Sequence, residues 1–165
     1  MQPFKNIDAA KKAAVQVKSF TQSETHRGVA WSCMVYLEGR KLGQVSNDGT
    51  GAMMRVDFSA DQQKQIVDAL KASGYELVLV CGDTVFDEPD SVESWFELAI
   101  GQIGDESAQL KSLKRRTKTR IIVESRTEPH LAFFKATDTP ENRVTLQRQL
   151  GANLVRFLND TILAC

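Results

Sequence analysis

Residues 29–51, VAWSCMVYLEGRKLGQVSNDGTG, decide the fold. Ala30, Ser32, Met34 and Tyr36 alternate with Trp31, Cys33, Val35 and Leu37, the period of two expected of a strand with large residues on both faces. Glu38-Gly39-Arg40-Lys41 supplies a hairpin turn, because glycine tolerates the positive φ that such turns need. A second strand over residues 42–46 ends at Asn47-Asp48-Gly49-Thr50-Gly51, where short polar side chains and two glycines permit conformations closed to other residues. That loop reads as a strand connection. Gly39, Gly43, Gly49 and Gly51 lack the spacing that would set a phosphate on a helix N-terminus.

On the N-terminal side, residues 7–15 carry helix-favouring Ala and Lys, while Ala13, Val15 and Val17 alternate with polar neighbours. A strand is expected over residues 13–21, paired with residues 29–37 across the polar connection 22–28. Downstream, residues 53–58 read as a further strand. Ser59 reads as an N-cap, with Ile66, Val67 and Leu70 as an apolar stripe and Gly74 as the stop. The run YELVLVC, residues 75–81, is expected to be a buried strand. Pro89-Asp90-Ser91 opens a helix in which Val92, Trp95, Phe96, Ala99, Ile100 and Ile103 recur at helical spacing, with Glu93 and Glu97 on the opposite face. Gly101 and Gly104 are expected to end or bend it, leaving a short helix over residues 108–113.

RIIVES (120–125) and LAFFKA (131–136) predict a hairpin whose connection contains Pro129. Asp138-Thr139-Pro140-Glu141 is a cap followed by proline, opening a helix that stops at Gly151. Residues 154–158 form either an edge strand or a terminal helix. No repeat, low-complexity tract or linker divides the chain. The expectation is one α+β domain over residues 1–165, an antiparallel sheet with packed helices.

Composition sets outer bounds. The 165 residues are 42% hydrophobic and 25% charged, which excludes global disorder and fibrous classes. Lys plus Arg and Asp plus Glu both number 21, which argues against indiscriminate coating of DNA. No run reaches the roughly eighteen apolar residues of a membrane span, and the N-terminus lacks the apolar core of a signal peptide. A cytoplasmic protein without a membrane partner is expected. Cys33 and Cys81 lie in apolar runs and read as core thiols, and Cys165 is terminal. No pair has metal-ligand or redox spacing.

Charge along the chain is segregated. Residues 83–106 hold eight acids (Asp83, Asp87, Glu88, Asp90, Glu93, Glu97, Asp105 and Glu106) and no Lys or Arg. Asp87, Glu88, Asp90, Glu93 and Glu97 are the candidate face for a basic partner. Lys111, Lys114, Arg115, Arg116, Lys118 and Arg120 then place six cations within ten residues. These read either as a phosphate-binding strip or as a solvated helix C-terminus whose cations suit the dipole. No aromatic residue is interleaved with them in sequence. Trp31 and Trp95 read as core rather than interface anchors. Met53-Met54 reads as gap-filling or as an adaptable partner surface.

The hairpin YLEGRKLGQVSNDGTG, residues 36–51, resembles a Y-x-(D/E)-G-(K/R)-K-x-G-x-V-x-N-D-G-x-G pattern of small, uncharacterised accessory proteins of bacteriophages and other mobile elements. A weaker echo lies in Lys118-Thr119-Arg120, in Leu146-Gln147-Arg148-Gln149-Leu150-Gly151 and in Leu158-Asn159-Asp160. The resemblance implies an α+β mobile-element accessory protein and transfers no catalytic residue.

His26 and His130 are the only histidines, each in a predicted loop, and no nucleophile elbow, P-loop or dinucleotide fingerprint occurs. No catalytic residue, metal or cofactor is expected; a small hydrolase or transferase is the least favoured class. The leading expectation is a non-catalytic protein that binds and inhibits a host defence or nucleic-acid-processing factor. The alternative is a nucleic-acid-binding protein that uses the basic segment. Oligomeric state is not legible.

Overall fold

A computed structural model describes residues 4–81, 83–127 and 130–165. The expectations for the Cys81 side chain and for Pro129 lie outside the described residues. The fold is α+β, with every strand pair antiparallel. The chain forms two compact units, Met1–Ala108 and Gln109–Cys165, with the boundary inside one long helix.

In the first unit, helix α1 (Lys5–Lys12) leads into a four-stranded sheet in the order β1 (Val15–Glu24), β2 (Val29–Leu37), β3 (Arg40–Asn47), β4 (Arg55–Val56). The opening segment is therefore helix and then strand. Ala14 makes the corner with φ of 55°, and its carbonyl accepts from the Glu38 N–H at 2.9 Å. The β2–β3 turn is two residues, Glu38 and Gly39, with φ of 50° and 77°. Positive φ at both positions matches the right-handed twist of the flanking strands.

Residues 31, 33, 35 and 37 face the core, as alternation requires. Val15, Cys33, Val35, Leu37 and Val45 join Ile66, Val67 and Leu70 of α2 (Ala60–Ala72) and Trp95, Phe96, Ala99, Ile100 and Ile103 of α3 (Val92–Thr117) in one buried cluster. Burial pushes the Cys33 thiol up to about 12, so this sulfur stays protonated. A bulge at Ser19 and Phe20 sets two residues of β1 opposite Cys33, and Ser19 takes the left-handed conformation with φ of 53°. The extra residue turns Phe20 toward the core cluster, where it packs against Trp31 at 6.1 Å between ring centroids.

α2 begins as expected. The Ser59 hydroxyl accepts from the Gln62 N–H, the Gln62 side chain accepts from the Ser59 N–H, and Gly74 closes the helix with φ of 80°. The strand expected over residues 53–58 shrinks to Arg55–Val56, and Met53 is 93% exposed.

Two expectations are corrected. Residues 75–79 belong to no strand; only β5 (Val80–Cys81) and β6 (Thr84–Val85) form a short ladder. Side-chain amides stand in for a neighbouring strand. Asn6 donates to the Glu76 carbonyl (2.7 Å) and accepts from the Glu76 N–H (3.2 Å), and Gln102 does the same for Val78, both at 2.9 Å. Nor is the run uniformly buried: Tyr75 is buried, whereas Val78 and Val80 are exposed. The second correction concerns α3, which runs unbroken for 26 residues through Gly101 and Gly104 and absorbs the separate helix expected over residues 108–113. These glycines serve close packing. A Cβ on Gly104 would sit 2.1 Å from the Phe20 ring.

The second unit holds a three-stranded sheet in the order β8 (Ala132–Phe134), β7 (Ile121–Ser125), β9 (Leu154–Phe157), with α4 (Pro140–Leu150) and α5 (Asn159–Ala164). Thr139 caps α4, Pro140 opens it, and Gly151 ends it with φ of 52°. Ile121, Val123 and Leu146 form its core cluster. Of the two readings left open for residues 154–158, the edge strand is the one adopted. Asn159, 1% exposed, then accepts from the Ile122 N–H (2.7 Å) and donates to the Arg120 carbonyl (2.9 Å).

Candidate functional site

The acidic segment begins on the β5–β6 ladder. Val80 lies opposite Val85, and the Phe86 N–H donates to the Leu79 carbonyl at 2.7 Å, so the pairing continues one step beyond the ladder. Strand alternation puts Val78 and Val80 on one face with Val85. The exposed fractions are large: 58% for Val78, 55% for Val80, 75% for Val85 and 55% for Phe86. Asp83, Asp87, Asp90 and Glu93, on and just after the ladder in sequence, are also exposed. Sequence reasoning missed the exposure of Val78 and Val80, because a Val- and Leu-rich run reads as buried when nothing reveals that side-chain amides replace its partner strand.

The five acids expected to form a partner face do not stand alike. Asp87, Asp90 and Glu93 are exposed, with no ion pair among the described residues. Glu88 is tied inward: it accepts from the Trp95 indole N–H at 2.5 Å and pairs with Lys71 at 3.3 Å. The Trp95 bond first, then Lys71, holds its carboxyl below the usual carboxylate range. Glu97 lies one helical turn beyond Glu93. It is half-buried and accepts from the Asn47 side-chain amide at the end of β3.

The six cations occupy the end of α3 and the residues after it. Lys111, Arg115, Arg116, Lys118 and Arg120 are exposed, Lys114 is half-buried, and none has a carboxylate partner among the described residues. Lys114, Arg115 and Arg116 occupy the last turn, where they also complement the helix dipole. The fold supplies an aromatic ring that the sequence spacing does not show: the Arg116 guanidinium lies 5.0 Å from the centre of the Phe133 ring on β8.

The glycine loop joins β3 to β4 and packs backbone against backbone. A Cβ on Gly49 would lie 2.6 Å from the Ala30 nitrogen, and Gly49 has φ of 71°. Thr25 donates from its hydroxyl toward the Gly49 carbonyl at 3.3 Å, joining this loop to the β1–β2 connection. His26 and His130 are exposed, and among the described residues no group of three or more His, Cys, Asp or Glu side chains is placed to hold a metal. Among the described residues no helix is long and apolar enough to cross a membrane.

Charge divides by unit. Residues 1–108 hold ten Lys and Arg against sixteen Asp and Glu, a net of −6, and residues 109–165 hold eleven against five, a net of +6. No family model, curated protein or solved structure matches the chain.

Proposed function

We propose that the protein is a non-catalytic binding protein that docks through the β5–β6 surface on a basic, nucleic-acid-processing protein and inhibits it, the role of a mobile-element accessory protein acting on a host factor. The observation that carries this reading is the exposure of Val78, Val80 and Val85 on one face of the ladder, in a stretch of chain that also carries four exposed acids. A cluster of large apolar side chains kept in water is costly unless a partner covers it. The exposed acids of the same stretch give the partner its sign: they speed encounter with a basic surface and penalise an acidic one. The test uses tagged protein as bait in nuclease-treated lysate at about 0.15 M salt. A basic protein retained in stoichiometric amount by the wild type, and lost with Val80→Ser/Val85→Ser and with Asp90→Lys/Glu93→Lys, supports the reading. Equal retention by both variants overturns it.

A second reading rests on a separate observation, six cations without carboxylate partners and an Arg116–Phe133 stack. On this reading the strip grips phosphates while the ring and guanidinium offer a stacking surface. Arg115→Ala/Arg116→Ala should then weaken binding of a single-stranded oligonucleotide, with the slope of log K against log salt reduced by about 1 to 2. An unchanged slope counts against the strip.

A further inference from the structure

The face of the four-stranded sheet turned away from the core carries a feature that neither charged surface uses. Thr21 lies opposite Ser32, Ser32 opposite Ser46, and Ser46 opposite Arg55, so one line of residues crosses all four strands. Directly opposed residues share a face, at roughly 4.8 Å per strand. Their neighbours Cys33 and Val45 point into the core, so this line points away from it. Beside it the glycine loop, with Asp48 and the exposed Met53, borders an open cleft of about 560 Å³ that Ala30, Trp31 and Ala52 also line.

We propose that this cleft binds a small carbohydrate, a mono- or disaccharide, with Thr21, Ser32 and Ser46 as its floor and Arg55 and Asp48 as charged groups on its lining. The lining sets the ligand's chemistry. The Thr21 and Ser32 hydroxyls touch each other at 3.1 Å, and the Ser46 hydroxyl and the Arg55 guanidinium make no hydrogen bond or ion pair among the described residues. Asp48 uses Oδ1 for the Thr50 N–H (2.9 Å) and hydroxyl (2.8 Å), which leaves Oδ2 available. Those two bonds, and then the attraction of Arg55, keep its carboxyl below the usual range and so ionised.

An apolar ligand would strip these groups of water without replacing their hydrogen bonds. A dianionic phosphate would meet Asp48, and a simple cation would meet Arg55. Hydroxyl groups both donate and accept, so a polyol satisfies guanidinium, carboxylate and Ser/Thr floor together. An amino-acid zwitterion also balances the two charges, but it brings the Ser/Thr floor few groups that both donate and accept. The volume lies within the usual range for small-molecule sites.

The test is an amide ¹⁵N–¹H titration of the full chain with glucose, galactose, mannose, N-acetylglucosamine and maltose to about 100 mM, where millimolar binding saturates. Glycine and sodium phosphate are titrated in parallel. Saturable shifts with a sugar at Ser32, Ser46 and Asp48, weakened about tenfold or more by Arg55→Gln and by Ser46→Ala, are expected. Both variants should keep wild-type spectra away from the cleft. No saturable shift with any sugar, saturation by glycine or phosphate alone, or undiminished sugar binding by both folded variants would each overturn the proposal.

Discussion

Gly101 and Gly104 stand three residues apart on α3, and replacement by alanine should act on them in opposite directions. At Gly101 a Cβ would meet the Trp31 ring at 3.5 Å, ordinary contact, so the gain in helix propensity prevails. Gly101→Ala should stabilise the protein by about 0.5–1 kcal/mol. At Gly104 the same atom would penetrate the Phe20 ring, and Gly104→Ala should cost about 1–3 kcal/mol. Urea unfolding checks both. In a Phe20→Ala background the Gly104→Ala penalty should shrink or vanish, because the two residues are coupled by contact. The sequence shows two glycines in a helical pattern and invites a break. It does not show Phe20, whose position depends on a bulge at Ser19 some eighty residues earlier.

At the scale of elements, carboxamides replace backbone neighbours in three places. Asn6 grips Glu76, Gln102 grips Val78, and Asn159 holds the start of β7 at Arg120 and Ile122. Burial separates their energetic weights. Asn159→Ala strands a buried N–H and a carbonyl and should cost about 2–4 kcal/mol, whereas Gln102→Ala frees groups that water can reach and should cost about 1 kcal/mol or less. Unfolding midpoints measure the first, and faster amide exchange at Val78 reports the second. Hairpins, helix caps and strand alternation were legible because local chemistry determines them, as Glu38-Gly39, Ser59 and Thr139-Pro140 show. An amide reaching from residue 6 to residue 76 has no local signature, which is why YELVLVC reads as a conventional strand.

The same corner of the fold carries a pH dependence. Asn6 also donates to Glu106 at 3.4 Å, yet Glu106 Oε2 and the Tyr75 hydroxyl are buried without partners. Burial, reinforced by Asp105, raises the Glu106 carboxyl above its ordinary value despite the Asn6 bond. A carboxyl raised in this way binds its proton more tightly folded than unfolded. Its contribution is complete below the ordinary glutamate range and is lost as pH rises through the raised value. Glu106→Gln should therefore gain urea resistance relative to wild type as pH rises above the ordinary glutamate range. An identical pH response in both proteins would remove Glu106 as its source.

For the whole molecule, the α+β class and the alternation of acidic and basic blocks were readable from the chain, because composition and periodicity report them directly. The exposed valines around β5 and β6 were not, and with them the apolar part of the candidate surface. A net charge of zero likewise conceals units of −6 and +6. A chain so divided behaves as a zwitterion on a macromolecular scale. The acidic unit of one molecule attracts the basic unit of the next, and no net repulsion keeps copies apart. Reversible turbidity or self-association should appear on dialysis to about 0.01 M salt, where the Debye length is roughly 30 Å, and clear above about 0.15 M. Light scattering across that range checks it. Simple ions at ordinary ionic strength would thus act as a solubilising cofactor, and salt-free buffer as the least hospitable medium for this protein.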